Sequence, residues 1–244
     1  MLVTILTPAF NSEKTIRRTM ESVLNQTYPY IEYIILDGAS NDRTVEIANE
    51  FISQFEEKGY SIRIISEPDK GMYDALNKGA NLANGELVGQ INSDDWYENN
   101  AVETMVNLYR EKKYDVAWGS IRIKKRRGDM IKHARIGRVW TTSHWCHPAM
   151  FSQKKILLKY PYALETMYDD FDFITGVHCD GNKIVTIDTI ITNFNFGGMS
   201  TKKGIREAKK RIDITYGIYR KYGMSKLYYL ERMLIEIGKL IWSY

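Results

Sequence analysis

Two adjacent carboxylates follow an apolar segment at a position suited to metal chemistry. Asp94 and Asp95 come after the run Leu87 to Ile91, separated from it by Asn92 and Ser93. Hard divalent cations such as Mg²⁺ and Mn²⁺ bind oxygen ligands, commonly one or two carboxylates with phosphate oxygens and water completing the shell. Adjacent acids also cap turns and helices. The pair therefore indicates either a cation site for a diphosphate or a capped turn.

A further carboxylate, Asp37, ends another apolar segment and is followed by Gly38. Its oxygens could accept hydrogen bonds from a base or ribose, while glycine lets the main chain approach a flat ligand. A turn built from Asp, Gly, Ser and Asn would explain the same residues. The first apolar segment leads into Thr7 to Asn11 rather than a Gly-x-Gly-x-x-Gly turn, which argues against a Rossmann dinucleotide site.

Acidic, histidine and cysteine side chains are concentrated in the second half of the chain. Asp169, Asp170 and Asp172 could supply a general base or form a solvated acidic turn. His147 is a candidate acceptor-site residue, with a packed histidine as the alternative. The histidines and cysteines that could suggest zinc lack the spacing of a structural zinc site. They are His144, Cys146, His147, His178 and Cys179.

These residues need elements that bring them together, and the first hundred residues alternate apolar β-branched runs with amphipathic segments. This alternation predicts an α/β fold with a wound sheet. In such sheets ligands bind beyond the carboxyl ends of the strands, so the loops 7–11, 37–41, 67–71 and 92–95 should border one crevice. Strands are predicted over Val3 to Thr7, Tyr33 to Leu36, Ile62 to Ile65 and Leu87 to Ile91. Helices are predicted from Ser12 to about Asn25, Asp42 to about Phe55 and Tyr73 to Ala83.

The second half of the chain is interpreted as the acceptor side. After about residue 114, strand-like pieces surround a basic stretch and a segment rich in Trp and His. From about Lys203 the pattern is helical again, with apolar residues spaced by three and four. We expect a domain over 1–202, with a nucleotide-binding half at 1–113 and an acceptor-side half at 114–202, and a helical extension over 203–244. The apolar positions of that extension are Leu227, Leu230, Leu234, Ile237 and Ile241.

Composition limits the classes of protein that the chain could represent. Its 244 residues are 44% hydrophobic, enough for an ordinary core, and two cysteines are too few for a disulfide scaffold. No signal peptide and no run of about 18 apolar residues is visible, so we expect a cytoplasmic protein. Basic residues are concentrated at 122–138 and 202–211, which suggests phosphates, anionic lipid or nucleic acid. A nucleic-acid-binding protein using 122–138 is the alternative function, although no binding motif is recognisable.

Six motifs follow one another in the first hundred residues: Thr4 to Asn11, Ser22 to Tyr28, Tyr33 to Thr44, Glu67 to Gly79, Ala83 to Glu86 and Asn92 to Asp95. Together they resemble the motifs of family 2 of the inverting glycosyltransferases. Their order and spacing look like those of the bacterial surface-polysaccharide subgroup that includes the colanic-acid transferases. The second half matches more weakly, through His147 and the acidic cluster. A catalytically inactive relative is a further reading, which the presence of Asp37, Asp94, Asp95 and Asp170 together disfavours.

The resemblance implies a GT-A fold, with a Rossmann-like, mostly parallel sheet flanked by helices. It implies an inverting hexosyl- or N-acetylhexosaminyl-transferase that moves a sugar from a UDP-sugar to a hydroxyl of a growing, lipid-linked bacterial glycan. Mn²⁺ or Mg²⁺ would be held by Asp94 and Asp95, and Asp170 would be the catalytic base. Trp145, His147 and Asp169 would lie on the acceptor side. The nucleotide-sugar would be bound by Thr7, Pro8, Ala9, Asn11, Asp37, Asp69, Lys70, Gly71, Asn77, Asn92, Ser93 and Asp94.

One position departs from the commonest family pattern. Asn92 stands where an aspartate often begins the metal motif, which removes one negative charge from the expected cation site. For the C-terminal helix, the basic clusters suggest docking on the anionic inner face of the cytoplasmic membrane. Packing on the domain or formation of a homodimer seam is the alternative.

Overall fold

One mixed, mostly parallel sheet organises the molecule. The computed structural model describes residues 1–125, 128–195 and 204–241, and for residues 239–241 the main chain alone. The strand order is β3-β2-β1-β4-β8-β6-β9-β5, with β7 beside β6. The strands are β1 Val3–Ala9, β2 Ile31–Asp37, β3 Ser61–Ser66, β4 Leu87–Gln90, β5 Trp96–Tyr97, β6 Val116–Lys124, β7 Met130–Lys132, β8 Met150–Gln153 and β9 Ile184–Asn195.

Helices cover this sheet, as the sequence predicts for an α/β fold. The described helices are α1 Ile16–Leu24, α2 Thr44–Asn49, α3 Ile52–Glu57, α4 Met72–Leu82, α5 Ala101–Lys112, α6 Lys154–Lys159, α7 Asp169–Cys179, α8 Ile205–Lys221 and α9 Tyr228–Ile241, with a short 3₁₀ turn at His147–Ala149. Strands β1 and β2 are buried on both faces, which explains their continuous apolar runs. The predicted fold class is therefore confirmed.

The parallel part of the sheet creates the expected crevice. Strands β1, β2, β3 and β4 run parallel to one another, so their carboxyl ends meet at one edge. Helix α4 packs very closely on this part. A Cβ atom at Gly79 would come within 2.6 Å of the Leu36 side chain, so only glycine allows this approach.

Two details of the predicted elements are wrong. Ser12 does not cap α1, because the chain first makes a turn and the helix begins only at Ile16; the Ser12 hydroxyl instead contacts Ser93. The single helix predicted over Asp42 to Phe55 is two helices. At their junction, the Phe51 amide bonds to the carbonyl of Ala48, three residues back, and this tighter turn lets Phe51 be buried.

The two halves of the chain share the sheet. Strand β8 pairs antiparallel with both β4 and β6, and β9 pairs parallel with β6. The proposed division into 1–113 and 114–202 stays a prediction, and its end at 202 lies outside the described residues. The expected C-terminal helices are present as α8 and α9, which run antiparallel, with Tyr219 stacked on Tyr228 at 4.2 Å. In the described ranges, no helix is long and apolar enough to span a bilayer.

Candidate active site

The loops after β1 and β2 are tied together at the mouth of the crevice. Thr7, Pro8 and Ala9 are the buried last residues of β1. Asn11 follows in a left-handed conformation with φ 49°, and its side-chain carbonyl accepts a hydrogen bond from the Asn41 amide at 2.9 Å. The Asn11 amide donates to Ser40 Oγ at 2.8 Å. Asn11 therefore fixes the shape of both loops.

Asp37 organises the turn that follows β2. It is almost fully buried, and its Oδ2 accepts hydrogen bonds from the Ser40 amide at 3.0 Å and from Ser66 Oγ at 2.6 Å. A Cβ at Gly38 would lie 2.8 Å from the carboxylate of Asp69, so a larger residue there would require the Asp69 side chain to move. A cavity of about 440 Å³ opens next to this turn. Its lining includes Leu36, Asp37, Ile65, Glu67, Asp69, Ala75, Lys78, Asn81 and Leu82.

The loop before α4 holds the next group of predicted donor residues. Asp69 Oδ1 accepts a hydrogen bond from the Gly71 amide at 2.7 Å, and Gly71 has φ 106°, which favours glycine. Lys70 is exposed beside them. Asn77 lies one turn into α4 and contacts Tyr162 rather than the loop. Its side-chain amide donates to the Tyr162 carbonyl at 2.8 Å and accepts from the Tyr162 amide at 2.9 Å. Asn77 thus joins α4 to the second half of the chain.

The neighbouring acids Asp94 and Asp95 have different environments. Asp95 is fully buried, with Oδ1 accepting from the Asn195 amide at 2.9 Å and Oδ2 from Asn92 Nδ2 at 3.3 Å. Burial raises the pKa of Asp95 to about 8, and the charge of Asp94 adds to the shift. Asp94 is partly exposed, and burial raises its pKa as well. A cation must reach the carboxylate oxygens that bind it. Asp94, which is partly exposed, is the more accessible of the two acids.

Cationic and polar groups support the loop that carries these acids. The Arg18 guanidinium donates to the Asp94 carbonyl at 3.0 Å and lies 3.6 Å from the centre of the Trp96 ring. Ser93 Oγ is 2.7 Å from Ser12 Oγ. No group of three or more His, Cys, Asp or Glu residues that could hold a metal occurs in the described part of the chain. A carboxylate at the crevice fits a Mg²⁺ or Mn²⁺ ion that takes its other ligands from a diphosphate and water.

Asp170 has both carboxylate oxygens held by aromatic donors. Tyr73 OH donates to Oδ1 at 3.0 Å, and Trp145 Nε1 donates to Oδ2 at 2.9 Å. Tyr73 belongs to α4 and Asp170 to the first turn of α7, so the contact brings together the two predicted halves. Burial, reinforced by the nearby Asp170 charge, raises the pKa of Tyr73 well above its usual range, which keeps its donor proton in place.

The adjacent Asp169 has a structural role. It is 2% exposed, and its oxygens accept hydrogen bonds from the amides of Thr166 at 2.8 Å and Glu165 at 3.0 Å. Asp169 therefore shapes the loop that enters α7. Asp172 forms an ion pair with Lys221 at 2.6 Å, which attaches α8 to α7.

His147 lies in a buried polar network behind Asp170. Its Nε2 is 2.9 Å from Gln90 Oε1 and 3.3 Å from Tyr162 OH, and burial lowers the pKa of the imidazole. Tyr162 OH also donates to Gln90 Oε1, at 2.6 Å. Of these residues the sequence singled out only His147. Tyr73 stands inside a recognised motif, but nothing in the sequence alone shows that it reaches Asp170, 97 positions further along the chain.

Several cations of the basic segment 122–138 are engaged within the protein. Arg122 bonds to Glu98 and to Asn193, Lys124 pairs with Asp129, and Lys132 donates to the Trp145 carbonyl. Arg126 and Arg127 lie outside the described residues. No observation on the described part of this segment favours the nucleic-acid alternative.

A curled, mostly parallel sheet with acids at the ends of β2 and β4 defines a GT-A glycosyltransferase fold. The solved structures agree: residues 1–349 of S. aureus TarS, crystallised with UDP, superpose with a TM-score of 0.72 at 15% identity, covering 98% of this chain and 71% of that one. The mannosyltransferase PcManGT from Pyrobaculum calidifontis, in complex with GDP-Man and Mn²⁺, gives 0.67 at 13% identity, covering 99% and 75%.

The family follows from the sequence match. Residues 4–172 match the model of glycosyl transferase family 2, and the chain belongs to that family. Chondroitin synthase from Escherichia coli is 38% identical over 110 residues, which are 45% of this chain and 16% of that protein. The PGL/p-HBAD biosynthesis glycosyltransferase of Mycobacterium tuberculosis (strain ATCC 25177 / H37Ra) is 26% identical over 222 residues, covering 88% and 85%. The chain thus spans about a sixth of the chondroitin synthase.

Proposed function

We propose that this glycosyltransferase moves a sugar from a UDP-sugar to a hydroxyl group of a growing bacterial surface glycan, with inversion at the anomeric carbon. The observation that carries the proposal is Asp170, a partly exposed carboxylate whose two oxygens are oriented by Tyr73 and Trp145. A carboxylate held in this way suits the role of general base. The UDP bound to TarS supports the donor class, and the activity named for the chondroitin synthase supports the acceptor class.

In the proposed reaction Asp170 accepts the proton of the acceptor hydroxyl. The hydroxyl oxygen forms a bond to the anomeric carbon while the bond from that carbon to the diphosphate oxygen breaks, and UDP leaves with the electron pair. A single displacement on the face opposite the leaving group inverts the anomeric centre. A neutral alcohol is a poor nucleophile, so a positioned base contributes roughly 10²- to 10⁴-fold to the rate.

The donor would occupy the crevice beyond β1, β2 and β4. In this proposal Thr7 to Asn11 border the base, the turn organised by Asp37 contacts the base or ribose, and Lys70 approaches the diphosphate. A Mn²⁺ or Mg²⁺ ion held by Asp94 would offset the negative charge that develops on the leaving diphosphate. Asp95, behind it, positions the loop. The Mn²⁺ in the PcManGT complex supports this assignment.

The test compares Asp170→Asn with Asp169→Asn. Asparagine at 170 keeps the size of the side chain but removes the proton acceptor, so kcat should fall by roughly 10² or more while UDP affinity with Mn²⁺ is retained. Asp169→Asn should mainly lower stability, because it weakens the loop before α7. Activity would be measured with a panel of UDP-hexoses and UDP-N-acetylhexosamines, and UDP affinity by thermal shift with and without Mn²⁺.

Two results would contradict the proposal. Near-normal kcat in Asp170→Asn would remove this carboxylate from the chemistry. Loss of UDP binding in the same variant would mean that Asp170 organises the donor site instead.

A further inference from the structure

Helix α9 has its charged residues facing the protein. Arg232 and Glu236 are each about 1% exposed, and Glu236 pairs with Arg232 at 3.1 Å and with Arg211 of α8 at 2.7 Å. Thr142 accepts a further hydrogen bond from Arg232. This buried ion network attaches α9 to the protein together with the ring contacts of Tyr228 with Tyr219 and of Tyr229 with Tyr216.

Four apolar residues face away from the protein: Leu227, just before α9, and Leu230, Leu234 and Ile237 within it. Successive helical residues are about 100° apart, so the positions 227, 230, 234 and 237 form a stripe opposite Arg232 and Glu236. Their exposed fractions are 70% for Leu227, 54% for Leu230, 70% for Leu234 and 43% for Ile237. A contiguous apolar stripe at the surface of a protein marks a site for a partner or a membrane.

The preceding helix, α8, adds exposed cations to the same helical hairpin. Arg206, Lys209 and Lys210 are exposed on the face of α8 opposite its buried residues, and Lys226 stands at the start of α9. Within the described part of the chain, none of the four takes part in an ion pair between side chains. Asp213 is the exposed acid of α8. Ile205, which is 80% exposed, adds an apolar side chain at the same end of α8 as Arg206.

We propose that α8 and α9 together dock the protein on an anionic phospholipid surface, with the leucine stripe inserted at the headgroup level and the cations on lipid phosphates. Amphipathic helices bind membranes by this combination of apolar burial and electrostatic attraction. A second copy of the chain is the competing occupant, because the three-four-three spacing also suits paired helices. Charge favours the membrane: lipid phosphates would neutralise Arg206, Lys209 and Lys210, whereas α8 of a second copy offers one exposed acid, Asp213.

The experiment measures sedimentation of the full chain with vesicles, without any donor, so that its outcome is independent of the proposed reaction. The vesicles are phosphatidylglycerol and phosphatidylcholine in equal parts, or phosphatidylcholine alone. Leu230→Gln/Leu234→Gln should weaken binding to anionic vesicles by about tenfold per leucine. Lys209→Gln/Lys210→Gln should weaken it by about fivefold per charge. The matched control is Leu2→Gln/Leu158→Gln, which changes two exposed leucines elsewhere.

Selective binding to the anionic vesicles, lost in the α9 variant and retained in the control, is the expected result. Equal binding by the α9 variant and the control would overturn the proposal. A second outcome would also overturn it: the original protein fails to bind vesicles and is a dimer by light scattering without lipid, whereas the α9 variant is a monomer. That second result would identify a copy of the chain as the occupant.

Discussion

At the scale of single residues, the candidate base depends on side chains from distant parts of the sequence. Asp170 is oriented by Tyr73 of α4 and by Trp145, which precedes the 3₁₀ turn. Hydrogen bonds to an ionised group contribute more than bonds between neutral groups, typically about 1.5–3 kcal/mol. The orientation of Asp170 is therefore a property of both halves of the chain.

We predict that Tyr73→Phe lowers kcat by about tenfold while leaving UDP affinity unchanged. The substitution removes the hydroxyl that fixes Asp170 Oδ1 and that also contacts the Met167 carbonyl at 3.2 Å, and tenfold corresponds to about 1.4 kcal/mol. Tyr162→Phe is the control, because its hydroxyl contacts Gln90 and His147 and does not reach Asp170. Equal losses of kcat in both variants would show a general effect of disturbing the aromatic cluster.

The acids of the candidate site could be predicted from the sequence, and their environments could not. The motif containing Asp94 and Asp95 has no feature that shows which carboxylate is buried. That difference arises because the Asn195 amide, a hundred positions away, bonds to Asp95. Asp169 and Asp170 are likewise adjacent in the sequence, and only their contacts distinguish them. Asp169 accepts a hydrogen bond from Thr166 and shapes a loop, whereas Asp170 accepts one from Tyr73, which orients its carboxylate.

At the scale of elements, strand β9 is attached to the loop after β4 through a buried carboxyl group. The hydrogen bond from Asn195 to Asp95 joins the last residue of β9 to this loop, and β5 pairs with β9 just beyond it. Burying the charged form of Asp95 is costly, which is why its pKa rises to about 8.

This shift predicts that, in the metal-free protein, the stability contributed by Asp95 is lost as pH rises. The folded state holds the Asp95 proton up to about pH 8, whereas the unfolded chain releases it near pH 4, so the folded state binds more protons between these values. The contribution of Asp95 to the free energy of unfolding should therefore fall from pH 5 to pH 8, opposite in sign to the contribution of buried His147, whose pKa is lowered. Asp95→Asn, which cannot ionise, should reduce that fall.

Urea unfolding in EDTA at the two pH values provides the measurement. Asp213→Asn, at an exposed position of α8, is the control and should keep the pH dependence of the original protein. Identical pH dependence in Asp95→Asn and the original protein would show that Asp95 is already ionised in the folded state.

Strands and helices were largely predictable, since β1, β2 and α4 have the expected periodicities. The break between α2 and α3 was not, because Glu50 and Phe51 carry no helix-breaking signal. The chain turns there so that Phe51 and Phe55 both enter the core, a tertiary effect that outweighs local helix preference.

At the scale of the whole molecule, a buried ion pair connects α8 and α9, the two helices of the C-terminal hairpin. The apolar spacing of α9 correctly indicated a helix, but apolar periodicity by default places such residues inward. The structure places Arg232 and Glu236 inward instead, opposite Arg211. Sequence periodicity identifies the apolar face of a helix. It does not show whether that face packs against the rest of the protein or is exposed.

We predict that Glu236→Gln destabilises the protein by about 3–5 kcal/mol, because it leaves two buried guanidinium groups without their carboxylate. The change in free energy of unfolding would be measured by urea denaturation at pH 7. Glu56→Gln, at an exposed position of α3, should have little effect. A loss below 1 kcal/mol in Glu236→Gln would show that the hairpin is held mainly by other contacts, such as the stacked Tyr219 and Tyr228.

The paired hydrogen bonds between Asn77 and Tyr162 have a consequence for protein engineering. The side-chain amide of Asn77 bonds to the main chain at 162 as one strand bonds to another, so the side chain at 162 takes no part in that link. A chimera that keeps residues 1–113 and takes the remainder from another family member could therefore keep this link with a different side chain at 162, although it would lose the hydrogen bond from Tyr162 to Gln90. The main chain at 162 would still have to lie opposite Asn77. The length of the loop that contains residue 162 is therefore the property to conserve when acceptor halves are exchanged.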